Sequence, residues 1–157
     1  MSEMRVVGVR VELPANQPIL LLRETHGDRY LPIWIGSVEA TAIALEQQGV
    51  KPARPLTHDL LKDVLEATGA TLTAVTITDL RDGVYYADLQ FASGITVSAR
   101  PSDAIALALR THCPIYVEDH VIDSARSMES GKESMDLARL QKWLEGLDPA
   151  ELPKYKM

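Results

Sequence analysis

Arg100-Pro101-Ser102-Asp103-Ala104-Ile105-Ala106-Leu107-Ala108-Leu109-Arg110 decides the fold of this 157-residue chain. It follows a β-branched run, Gly94-Ile95-Thr96-Val97-Ser98-Ala99, and turns at a proline from strand pattern to helix pattern. Pro101 suits the first helical turn, where a missing N–H costs nothing. Arg100 and Ser102 both suit the N-cap, and Asp103 sets a negative charge at the positive end of the helix. Ile105, Ala108 and Leu109 form an apolar stripe, and the alanines let the helix lie close to a neighbour. The stretch predicts a guanidinium and a carboxylate at the mouth of a tightly packed helix.

Two echoes lie upstream. Ala42-Ile43-Ala44-Leu45 repeats as Ala104-Ile105-Ala106-Leu107, and Arg54-Pro55-Leu56-Thr57-His58-Asp59 echoes Arg100-Pro101-Ser102-Asp103. The order of elements repeats too. Alternation from Met4 to Leu13, the apolar run Ile19–Leu22 and the segment Tyr30–Ile35 predict three strands, with Pro32 placing the third at an edge or bulge. Ser37 is expected to cap a helix to about Gln48, packed through Val38, Ala42, Ile43 and Leu45, with Gly49 as its left-handed C′ residue. Leu72–Leu80, Val84–Phe91 and Ile95–Ala99 predict three further strands, the first pair joined at Asp82-Gly83. The Arg100 helix follows. Three strands and a helix thus occur twice, at residues 6–48 and 73–111, the pattern of an internal duplication.

Between the units, Thr57 is expected to cap a helix whose Leu60, Leu61, Val64 and Leu65 point inward and which ends at Gly69. Pro114–Val117 reads as a last short strand, and residues 119–132 as a mobile loop or irregular helix. Leu137, Leu140, Leu144 and Leu147 give an amphipathic helix with Trp143 beside it, and Asp148 opens a final short turn. The expected fold class is α+β: duplicated three-strands-plus-helix units around a mixed or antiparallel sheet over residues 1–125, with a C-terminal helical extension over 126–157.

Apolar residues make up 46% and charged residues 24%, the profile of an ordinary globular protein. No apolar run approaches the roughly 20 residues of a membrane span. Met1–Arg5 lacks the pattern of a secretory signal, so a cytoplasmic protein with no membrane partner is expected. Cys113 stands alone, which excludes an intrachain disulfide and a cysteine-built zinc site. The net charge of −6 disfavours a generic electrostatic DNA binder.

Three separated motifs carry a family resemblance. They are Leu31-Pro32-Ile33-Trp34-Ile35-Gly36 with Glu39-Ala40, then Arg54-Pro55-Leu56-Thr57-His58-Asp59-Leu60, then Arg100-Pro101-Ser102-Asp103-Ala104-Ile105-Ala106-Leu107-Ala108 with Pro114-Ile115. In this order they resemble the bifunctional nuclease (BFN) domain over roughly residues 4–125. The resemblance implies an α+β domain, often self-associating, found in bacterial and plant proteins, some of which cleave both DNA and RNA. The tail is similar to the short helical extension of bacterial members. At Ser98, where many members carry an acidic residue, the chain departs from the pattern.

Phosphodiester hydrolysis needs an activated water and neutralisation of transition-state charge, which metal ions held by carboxylates commonly supply. Glu39, Asp59 and Asp103 are the candidate carboxylates, each in a helix first turn within a matched motif. His58 is the candidate general acid or base. Arg54 and Arg100, with Ser102, are the candidate phosphate ligands, since guanidinium binds phosphate bidentately. Each also has a plain structural reading: first-turn acids complement the helix dipole, Thr57 and Ser102 cap, and Arg100 with Asp59 or Arg54 with Asp103 would tie the repeats together. Trp34 and Tyr30 suit base stacking or packing. There is no D-x-D, H-x-H, H-N-H, P-loop or G-x-G-x-x-G motif. The expected function is a nuclease on DNA and RNA, with Mg²⁺ or Mn²⁺ as possible cofactor and a homodimer or larger oligomer formed through strand edges such as 30–35. The alternatives are a non-catalytic module binding an anion or a partner, favoured by the acidic balance and Ser98, and an oligomeric scaffold.

Overall fold

The computed structural model describes residues 1–12 and 17–130. The helix expected around Leu137–Leu147, with its following turn at Asp148, lies outside the described residues. The elements run β1 (Ser2–Glu12), β2 (Gln17–Glu24), β3 (Tyr30–Trp34), α1 (Ser37–Gln47), α2 (Thr57–Ala67), β4 (Leu72–Arg81), β5 (Val84–Phe91), β6 (Thr96–Ala99), α3 (Pro101–Thr111), β7 (Ile115–Val117) and α4 (Asp119–Ser130).

All seven strands form one mixed sheet in the order β3-β2-β1-β7-β4-β5-β6. The fold is α+β, and the two three-strand units flank β7 in mirrored order. Each unit is an antiparallel meander, held by tight connections such as Asp82-Gly83, where both residues adopt positive φ. The short strand after α3 is the seam. β7 pairs antiparallel with β1 (Met4 opposite Ile115) and parallel with β4 (Val75 beside Ile115). His112, in the left-handed region at φ 58°, turns the chain out of α3 toward it. Pro32 sits in β3, at one edge, where its missing N–H breaks no ladder on the outer side.

The register carries one apolar face across the sheet. Ile33 lies beside Leu20, Leu20 beside Val9, Met4 beside Ile115, and Val75 between Ile115 and Leu89. All are buried in one core with Ile43 of α1, Ile105 and Leu107 of α3, and Val121 and Ile122 of α4. α1 and α3 pack on each other through small residues, with Ala40, Ala42, Ala104, Ala106 and Ala108 all buried.

Four expectations change. Ser37 and Thr57 are the first helical residues rather than caps, and Ser102 is second in α3; the N-cap positions belong to Gly36, Leu56 and Arg100, none with a side-chain cap. Val38 is 72% exposed because α1 meets the core through its alanine face. Leu60, Leu61 and Val64 of α2 do not point inward: they are 39–54% exposed, because α2 packs against α3 and only His58 of the helix is buried. Residues 119–130 form a regular helix, seated by Val121, Ile122 and Ala125 and held at its start by Arg29, which donates to Asp119 Oδ1 at 2.8 Å.

Candidate active site

The sequence sets an acid at the third position of three helices in turn: Glu39 in α1, Asp59 in α2 and Asp103 in α3. Such acids complement the exposed N–H groups of a helix start. Folding joins these starts through side chains far apart in sequence. Arg100, at the N-cap of α3, donates from Nε to Asp103 Oδ2 at 2.9 Å and from Nη2 to Glu39 Oε1 at 2.5 Å. The other oxygen of Asp103 lies 2.9 Å from His58 Nε2. Glu39, Arg100, Asp103 and His58 therefore form one continuous chain across α1, α3 and α2.

The chain is graded in exposure. Glu39 and His58 are largely covered, Asp103 is about one-third exposed, and the Arg100 side chain is 65% exposed. Arg100 is held above its ordinary pKa, first by the hydrogen bond to Asp103 and then by that to Glu39. It remains a fixed cation at every working pH. Its Nη1 group and the Nδ1 atom of His58 have no protein partner among the described residues. A proton on Nε2, shared with Asp103, leaves the Nδ1 lone pair as an acceptor; this tautomer is assigned from the hydrogen-bond network.

Asp59 takes a different partner. Its Oδ2 accepts from the Leu56 N–H at 3.1 Å, and its Oδ1 accepts from Arg110 Nε at 2.7 Å. Burial opposes ionisation of Asp59, but the Arg110 guanidinium and the Leu56 amide outweigh it, and the carboxyl lies below its ordinary range. Arg110 is 4% exposed and spends its other donors on backbone carbonyls, Nη1 on Ala106 at 2.8 Å and Nη2 on Ala42 at 3.0 Å. One buried guanidinium thus joins all three helices. The sequence reading missed it. Its signal was an arginine in the last turn of an otherwise apolar helix, above alanines that leave room for a long side chain.

The expected cross-repeat pairs do not form. Arg100 pairs with Asp103 and Glu39 rather than Asp59, and Asp59 pairs with Arg110. Arg54 is exposed, four residues ahead of His58, with no ion pair among the described residues. Ser102 is buried at the second position of α3. Among the described residues no three His, Cys, Asp or Glu side chains converge as a metal site. Glu39 and Asp103 face each other, but Arg100 stands between them, so their donor set does not fit a preformed divalent-cation site.

The sequence profile of the bifunctional nuclease domain matches residues 20–130 and so takes in every residue of this cluster. The chain belongs to the bifunctional nuclease domain family. Within reach of this family assignment, an uncharacterized protein of Mycobacterium tuberculosis is 55% identical over 99% of both chains. Bifunctional nuclease 1 of Oryza sativa subsp. indica is 28% identical over 74% of this chain and 37% of its own length. Bifunctional nuclease 2 of Arabidopsis thaliana is 28% identical over 76% and 39%. This bifunctional nuclease domain thus spans well under half of the plant proteins it matches. Among the described residues no helix is long and apolar enough to cross a membrane.

Proposed function

We propose that this chain is a nuclease that hydrolyses phosphodiester bonds of DNA and RNA at the Glu39–Arg100–Asp103–His58 chain. The observation that carries the proposal is the contact of His58 Nε2 with Asp103, on a carboxylate that also holds Arg100. The names of the plant relatives support the same reaction class. A carboxylate on one imidazole nitrogen fixes the tautomer and leaves the lone pair on the other nitrogen. His58 Nδ1 then takes a proton from water as the water oxygen attacks phosphorus. The bond from phosphorus to the departing oxygen breaks, and that oxygen is protonated from solvent. Arg100 turns its free Nη1 donors to the non-bridging oxygens, where charge grows in the transition state. Arg54 takes the neighbouring phosphate. Glu39 keeps Arg100 in place.

A divalent cation has no preformed seat here, so the test separates the two possibilities. Highly purified protein is assayed on single-stranded and duplex DNA and RNA with Mg²⁺, Mn²⁺ or EDTA, beside folded Arg100→Ala and Asp103→Asn variants. Activity that co-elutes with the protein and disappears in both variants is the expected result. Equal activity in all three proteins would assign it to another site or a contaminant.

A second reading is a non-catalytic module that binds an anion through the same residues. It is favoured by the two carboxylates that already neutralise Arg100 and by the net charge of −6. Anion binding without turnover would select it. Either reading accommodates a homo-oligomer, which we place on the exposed Leu60, Leu61 and Val64 of α2.

A further inference from the structure

The edge strand β3 runs toward the proposed site and carries an aromatic side chain on the wrong face for the core. Leu31, Ile33 and Ile35 are buried, so the alternation sends Trp34 outward, and it is 53% exposed. A tryptophan interacts best where most of its area is covered, so one left open beside a candidate site needs a reason. Trp34 precedes Glu39 of the charged chain in sequence, at the end of β3 that leads into α1. A Cβ built at Gly36 would lie 2.5 Å from the Glu39 carboxylate, which therefore folds back over the chain two residues beyond Trp34. Two extended residues span at most about 7 Å. The next cation is Arg100, in direct contact with Glu39, and Val38, also exposed, lies in the first turn of α1.

We infer that Trp34 is a stacking platform for an unpaired nucleobase next to the phosphate held by Arg100. This rests on the nuclease reading of the same site and adds a substrate class to it: single-stranded or locally opened nucleic acid, whose bases are free to stack. The chemistry fits. An indole face accepts any base without sequence preference, while a duplex keeps its bases stacked on one another. The exposed Arg100 favours this occupant over a second copy of an acidic chain, because a guanidinium suits a phosphate.

Binding is measured in EDTA, by anisotropy of labelled twelve-nucleotide strands: normal DNA and RNA, an abasic strand of the same length, and a blunt duplex. A Trp143→Phe chain makes Trp34 the single tryptophan, so its emission reports stacking directly. Normal strands are expected to quench Trp34 and the abasic strand to leave it unchanged. Trp34→Ala is expected to weaken normal strands by roughly tenfold or more and the abasic strand hardly at all, with Trp34→Phe between. Equal affinity of the wild type for normal and abasic strands, or an unchanged Trp34→Ala, overturns the platform. So does a fall in oligomeric mass in Trp34→Ala, which would mark the indole as an interface between copies. Absence of strand binding overturns it whatever the cleavage assay gives. Base-dependent binding without cleavage keeps the platform and removes only the hydrolysis.

Discussion

His58 Nε2 lies 2.9 Å from Asp103 Oδ1, a contact between the second residue of one helix and the third residue of another, 45 positions apart in sequence. The imidazole is nearly covered while the carboxylate is about one-third exposed, so the pair is oriented from inside and approached from outside. If His58 is the base, His58→Ala should lower cleavage by about 10²-fold or more. His58→Gln, which keeps a polar side chain there, should lose the rate without losing the fold. Single-turnover cleavage with circular dichroism on the same samples checks this. Full activity in a folded His58→Ala protein would move the base elsewhere.

Arg100 separates catalysis from scaffolding. Its side chain is mostly solvent-exposed, and exposed ion pairs contribute about 0–1 kcal/mol. Arg100→Ala should therefore melt close to the wild type yet lose oligonucleotide affinity and cleavage. Arg100→Lys should recover only part, because an ammonium cannot bridge two carboxylates and a phosphate as a planar fork does. A large fall in melting temperature with unchanged ligand binding would favour the scaffold reading.

Arg110 is the structural counterpart. Arg110→Met leaves Asp59 without its cation and removes the second donor from two helical carbonyls, those of Ala42 and Ala106. Breaking a buried pair costs about 3–5 kcal/mol, and the partial exposure of Asp59 places this one nearer to about 2–3 kcal/mol. Urea unfolding of the two proteins measures it.

The Asp59 carboxyl is depressed in the folded state, which fixes the sign of a pH effect. Its stabilisation is present above the ordinary carboxyl value of 3.8 and is lost as pH falls through the lower folded value. Thermal melting of wild type and Asp59→Asn at a series of pH values should therefore give curves that differ most near neutrality and converge below about pH 4. A difference that grows in acid would contradict the Arg110 contact.

Leu60, Leu61 and Val64 leave an apolar stripe on α2 open to solvent. If a second copy covers it, Leu60→Glu with Leu61→Glu should lower the mass seen by light scattering and leave the monomer folded, since neither side chain is in the core. An unchanged mass would move self-association to another face.

The repeat of elements, the edge position of Pro32, the Asp82-Gly83 turn and the helix behind Pro101 were legible in the sequence, because each is set by local chemistry: side-chain alternation, a missing N–H, a positive φ, a fixed one. So were Glu39, His58, Asp59, Arg100 and Asp103 as candidates, because first-turn acids and an Arg-Pro step are local patterns. Their wiring was not legible. Which acid meets which arginine depends on how three helices cross, and that crossing is decided by the alanine faces of α1 and α3 and by Arg110 reaching the Ala42 carbonyl. The same reason explains α2. Its periodicity gives an apolar stripe, but only the packing of its first turn on α3 decided that the stripe faces water. β7 is the clearest case. Three residues long, it reads as a minor last strand, yet it joins the two halves of the sheet, because strand order is set by which edges meet once both units have folded.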